Sequence, residues 1–262
     1  MHSSDRPFRA CLFVFAAAYV LLLIAMLVAD ASFTSFGNIW TALTSPEIQY
    51  AIRLSFLSAT ITAILSVWFA VPIGYLMSRH SFRGKLLIDG ILDIPIVLPP
   101  MVIGLSLLIL FQTPLGKAVE SVVPVTYRIP SVIIAQFSVA CAFAIRAMII
   151  TFDQIDPRGE AVAQTLGCNA RQAFWRVALP QARRGVLGAG MLAWARALGE
   201  FGPILVFSGA TRMRTEVLPS TVFLELSIGN IDAAVAVSLI MVTAALVVLC
   251  LGRLLGLGRK VF

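Results

Sequence analysis

Charge is scarce in this chain. Only 13% of its 262 residues are Asp, Glu, Lys or Arg, while 59% are hydrophobic. A soluble domain carries about 25% charged residues, so there is too little charge here to coat a water-facing surface. Histidine is scarcer still: His2, near the chain start before Arg6, and His80, beside Arg79, both lie outside every apolar run. That leaves no histidine for a metal site or a Ser–His hydrolytic pair inside a membrane. The four cysteines, Cys11, Cys141, Cys168 and Cys250, form no CxxC pair and no zinc-like cluster. They read as small buried hydrophobes. No Gly-x-x-x-x-Gly-Lys-Ser/Thr phosphate loop is present. No repeat of about 20–50 residues appears, which excludes a solenoid. Nor are there two similar halves, which weighs against a repeat-built secondary carrier. The net charge of +7 does not point to nucleic acid, because the basic residues lie mostly between apolar runs, where they set topology.

Long apolar runs are what the chain does have. A helix needs about 20 apolar residues to cross a bilayer. Six runs qualify, at 11–29, 52–77, 87–111, 131–151, 185–207 and 233–252. The first follows Arg6 and Arg9 as a signal peptide would, but it is long enough to span. Asp30-Ala31-Ser32-Phe33 is also a poor cleavage site, so it reads as an uncleaved span. The third contains Pro95, Pro99 and Pro100 and should kink or break there. With the N-terminus inside, thirteen Lys and Arg fall inside, Arg259 and Lys260 among them, and four fall outside. Both termini are therefore expected on the cytoplasmic side. The expected fold is one all-α membrane domain, 1–262, with six transmembrane helices.

The polar stretch 156–180, between spans four and five, carries the most pattern. Asp156 can cap a helix with Pro157 at its first position, and Glu160 lies near the positive helix end. Gly167 can take the left-handed conformation that ends a helix. Asn169, with Gln172 three residues on, can open a second helix through a capping box, and Pro180 disfavours its continuation. The spacing predicts two short helices bent at Gly167, with Val162, Leu166, Ala170, Phe174 and Val177 near one face. That face needs cover, and pattern alone weighs the chain's own bundle and a partner equally.

This stretch resembles the EAA loop of ABC importer permeases: Glu-Ala-Ala, three residues, Gly, nine residues, then Ile-x-Leu-Pro. With Gly167 as anchor, the first three positions fall on Ala161, Val162 and Ala163. The last four fall on Val177, Ala178, Leu179 and Pro180. Ala161 holds the glutamate position, and Glu160 precedes it. Many members carry Glu-Glu at that pair, and Glu160 stands in the place of the first. The resemblance implies a coupling helix pair that docks in a groove of a cytoplasmic ATP-binding subunit. Its residues would be Glu160, Ala161, Val162, Ala163, Gly167, Val177, Leu179 and Pro180. The departure at Ala161 bears on any salt bridge the motif glutamate makes to that ATPase.

Span five contains Arg196, Gly199, Glu200, Phe201 and Gly202, followed by Pro203. Arg196 and Glu200, four apart, share one helix face. A charge at bilayer depth costs about 2.5–3.5 kcal/mol, so the pair is either a structural tie or a gate that touches an anion. The string from Arg196 to Gly202 resembles the same position in permeases for molybdate, tungstate and sulfate. Thr215-Glu-Val-Leu-Pro219, Ile228-Gly-Asn-Ile-Asp232 and Leu98-Pro-Pro100 with Gly104 continue the resemblance, which is strongest to molybdate permeases. Pro203 replaces the usual small residue and can kink the outer end of the span.

The resemblance implies a permease subunit without catalytic residues, in the bacterial inner membrane, forming an oxyanion pathway. ATP and Mg would bind the partner ATPase, so this chain holds no cofactor. The expected partners are that ATPase, an extracytoplasmic binding protein, membrane lipid and a second copy of the chain; nucleic acid is not among them. The rivals are a sulfate or tungstate permease and a stand-alone secondary transporter coupled through Asp89, Asp93, Arg196 and Glu200. The plainer expectation makes Asp89 and Asp93 interfacial partners of Arg83 and Lys85. Arg146, alone in span four, should snorkel or pair with an acidic neighbour. Arg212 and Arg214, in an outside loop, read as solvated charge.

Overall fold

The computed structural model describes residues 5–256. Arg259 and Lys260, counted above to the inside, lie outside these residues. The described elements are helical: α1 (Asp5–Phe33), α2 (Phe36–Thr44), α3 (Pro46–Arg79), α4 (Lys85–Val97), α5 (Pro100–Gln112), α6 (Pro114–Val122), α7 (Ile129–Asp153), α8 (Arg158–Thr165), α9 (Ala170–Ala173), α10 (Leu179–Leu198), α11 (Gly202–Ser208), α12 (Leu218–Ser227) and α13 (Ile231–Gly256). A π-helical turn, Phe174–Ala178, joins α9 to α10.

Among the described residues, four helices are long and apolar enough to cross a membrane: Phe8–Phe33, Pro46–Arg79, Ile129–Asp153 and Ile231–Cys250. The expected third span is a broken pair, α4 and α5, bent by 110°. Its cause is local. Leu98 and Pro99 each precede a proline, which disfavours the helical conformation, and both are extended. The expected fifth span is also divided, between α10 and α11, with Gly199–Phe201 left outside both helices. Pro203 then sits in the first turn of α11, where its missing N–H leaves no gap in the helix.

The centre of the bundle is α3 packed on α7 and α10. The buried contacts there are mostly small: Ala59, Ala63, Ala140, Ala144, Ala189, Ala193 and Ala197. Small side chains let helix backbones approach closely, which lipid-embedded helices need because lipid supplies no hydrophobic drive between them. Gly74 marks a close approach of α3 to α7, since a Cβ there would lie 2.6 Å from Met148 Cβ. Gly74→Leu is therefore expected to destabilise the bundle by about 1–3 kcal/mol, the usual cost of overpacking. Thermal unfolding in detergent reads the shift; an unchanged melt would show that α3 and α7 are not rigidly packed.

Half-span α4 has no buried residue. It is held to α7 by charge. Arg146 pairs with Asp89 at 2.8 Å and with Asp93. Arg146 thus finds its acidic neighbour, and it finds two. The expectation that Asp89 and Asp93 serve Arg83 and Lys85 is corrected. One turn apart on α4, the two carboxylates bracket a guanidinium that meets both at once.

Candidate functional site

The segment after α7 builds a bent knob. Asp156 Oδ1 accepts the Arg158 N–H at 2.9 Å and turns the chain into α8, which begins one residue later than the sequence suggests. At its other end Gly167 has φ +94°. The Gly167 N–H bonds the Gln164 carbonyl, and the Cys168 N–H bonds the Ala163 carbonyl, both at 3.0 Å. This pair of bonds is a Schellman stop, and it requires the left-handed residue. Asn169 Oδ1 then accepts from the Gln172 N–H at 2.8 Å, and Gln172 Oε1 accepts from the Asn169 N–H at 3.0 Å. The expected bend and capping box are both present.

Pro180 does not end the second helix. The Leu179 N–H reaches back five residues to the Phe174 carbonyl, and Pro180 sits in the first turn of α10. The wide π turn absorbs a proline that would clash in an α-helix. The helix therefore continues from the knob into the fifth span.

The expected single apolar face divides in two. Phe174 and Val177 are half-buried, and the Phe174 ring stands 4.7 Å from that of Tyr75. Val162, Leu166 and Ala170 face outward, and Leu166 is 81% exposed. Ala161 is also exposed, Ala163 is half-buried and Trp175 is exposed. The bend at Gly167 turns the α8 half of the pattern away from the bundle.

Glu160 is used internally. Its carboxylate accepts from the Tyr75 hydroxyl at 2.5 Å and from Arg79 Nε at 2.9 Å, and it is buried. Arg79 also donates to the Phe152 and Ile155 carbonyls, each at 2.8 Å. One guanidinium thus joins the end of α3, the end of α7 and the start of α8. The sequence reading missed Tyr75 and Arg79. The only available signal was an aromatic and a base one turn apart at the end of a span, which resembles ordinary interfacial anchoring.

The second cluster lies at the break in span five. Arg196 Nη1 approaches Glu200 Oε2 at 2.8 Å, as the spacing suggested. Glu200 is buried, and the guanidinium also stands 5.5 Å from the centre of the Phe143 ring. A polar relay supports the break: Thr62 Oγ1 donates to Gln136 Oε1 at 3.2 Å, and Gln136 Nε2 donates to the Ala197 carbonyl at 3.1 Å. The breaks in spans three and five abut. A Cβ on Gly202 would lie 3.0 Å from Pro100 Cβ, and one on Gly104 would lie 2.7 Å from Pro203 Cα. Phe201 packs against Phe223, with ring centroids 5.4 Å apart. Arg196, Gly199, Glu200, Phe201 and Gly202 are thus brought together at one discontinuity. On the loop beyond it, Arg212 is not free solvated charge; it pairs with Glu225 at 2.7 Å.

Known proteins are similar to this chain in sequence or in fold. The molybdenum transport system permease protein ModB of Mycobacterium bovis is 33% identical over 249 residues, covering 93% of each chain. The probable molybdenum ABC transporter permease protein of Haloferax volcanii is 35% identical, over 91% of this chain and 86% of that one. The sulfate transport system permease protein CysT of Salmonella typhimurium is 28% identical over 90% of this chain and 86% of its own length. A crystal structure of a bacterial alginate ABC transporter, in complex with an alginate pentasaccharide-bound periplasmic protein, superposes with a TM-score of 0.77. It covers 95% of this chain and 93% of the matched chain at 14% identity. Residues 70–259 match the pattern that defines the binding-protein-dependent transport system inner membrane components, and the chain belongs to that family.

Proposed function

We propose that this chain is the permease subunit of an ATP-binding-cassette importer for a tetrahedral oxyanion, molybdate first. It crosses the membrane six times with both termini cytoplasmic. The observation that carries this reading is the knob: two capped helices bent at Gly167, anchored through Glu160 and presenting Val162 and Leu166 outward. A stand-alone carrier has no need of a rigid, apolar-tipped projection, whereas an ATPase groove requires one. ATP and Mg bind that separate subunit, a binding protein delivers cargo from outside, and two copies of this chain form the pathway. The Arg196–Glu200 pair sets the fifth-span break as part of the gate.

The relatives support an oxyanion substrate. Relatives at 33% and 35% identity are named for molybdenum, and others at 28% and 32% for sulfate. Deleting the chain is expected to lower cellular molybdenum in elemental analysis while sulfur assimilation stays intact. The reverse pattern moves the substrate to sulfate. Loss of neither, with cellular tungsten also unchanged, would sink the oxyanion reading.

A further inference from the structure

Between Glu160 and Glu200 the chain has no acidic residue, yet it carries Arg171, Arg176, Arg183, Arg184 and Arg196. Arg176, Arg183 and Arg184 line one cavity with Val177, Pro180 and Gln181. None of the three is in an ion pair among the described residues. They gather because the π turn and α10 form one helix, on which positions 176, 180 and 183–184 stack turn upon turn. A second cavity, about 440 Å³ and almost wholly apolar, continues along the same helix. It is lined by Leu187, Gly190, Met191 and Trp194 of α10, with Ile64 and Val67 of α3 and Val248 of α13.

The two cavities share a face. Arg183, Leu187, Gly190 and Trp194 follow the spacing of a single helical stripe. From Arg183 to Trp194 the helix rises about 16 Å, a length over which an extended acyl chain can lie. Trp175, exposed and next to Arg176 in the chain, suits the headgroup level, where indole rings collect. Positive-inside topology explains why arginines are numerous here. It does not explain why three unpaired ones line one cavity on the helix that, further along, lines an apolar groove.

We propose that an anionic phospholipid binds along α10, its phosphate on Arg176, Arg183 and Arg184 and one acyl chain in the groove between α3, α10 and α13. Guanidinium clusters bind phosphate through several charge-assisted hydrogen bonds, and basic pockets at helix ends select anionic headgroups. The site rests on the proposed orientation, which puts this end of α10 at the cytoplasmic leaflet.

Native mass spectrometry of the full chain tests it, with phosphatidylglycerol and phosphatidylethanolamine as probes. Wild type is expected to keep one phosphatidylglycerol through delipidation and to release phosphatidylethanolamine. Replacing all three arginines by glutamine should weaken retention roughly a hundredfold, the summed effect of three bases at a membrane surface. Gly190→Leu, which fills the groove, should lower it with the arginines intact. Equal retention of both lipids by wild type overturns the proposal even if the triple variant does not fold. So does unchanged retention in the variants, or displacement by millimolar inorganic phosphate, which would make the cavity a soluble-anion site. Cross-linking of two chains through Leu187→Cys would show instead that a second copy covers the groove. Because the assay reads bound lipid, it is separate from the elemental analysis of the deletion, which tests the importer reading.

Discussion

Gly167→Val is expected to abolish coupled uptake while leaving the bundle folded. Gly167 holds φ +94°, and a Cβ there meets nothing within 4 Å, so the obstacle is the backbone and not space. A left-handed conformation costs an ordinary L-residue about 1–2 kcal/mol, and a β-branched one is a clear outlier. The strain is relieved by opening the Schellman bonds to Gln164 and Ala163. The exposed α8 edge with Val162 and Leu166 then no longer holds a fixed angle to the helix that continues into α10. In membranes that also hold the ATPase subunit, hydrolysis should continue while molybdate uptake falls to background. Gly167→Asn, which tolerates the left-handed region, should retain most uptake. Full uptake by the valine variant would remove the bend from the mechanism.

The second large effect is at the base of the knob. Arg79→Met leaves the Glu160 carboxylate buried without its guanidinium, and it frees two carbonyls at the end of α7. Breaking a buried pair from one side costs about 3–5 kcal/mol, because a charge stays desolvated and unpaired. Both side chains are nearly buried, at 11% and 8% exposure, so solvent screening reduces this little. Arg79→Met combined with Glu160→Leu should recover much of the melting temperature, since no uncompensated charge remains. It should not recover coupling, because the polar tie from α8 to α3 and α7 is still gone. Thermal unfolding and ATP-driven uptake, measured on both variants, separate the two roles. Restoration of uptake by the double variant would mean that the tie serves stability alone.

The local features were legible in the sequence. The bend at Gly167, the Asn169–Gln172 capping box, the break at the Pro99–Pro100 pair and the Arg196–Glu200 pair each depend on residues a few positions apart. Their physics is that of one turn of backbone. Composition and the long apolar runs likewise determined the class, because a chain with so little charge has no stable surface in water. Tertiary structure alone decided which partners the isolated charges take. Glu160 meets Tyr75 and Arg79, 85 and 81 positions away, and Arg146 meets Asp93, 53 positions away. It also decided that the two broken spans abut at Gly202 and Gly104, and that Pro180 is carried within a continuous helix by a π turn. Such contacts are set by how helices stack, and helical periodicity says which face is apolar without saying which neighbour covers it.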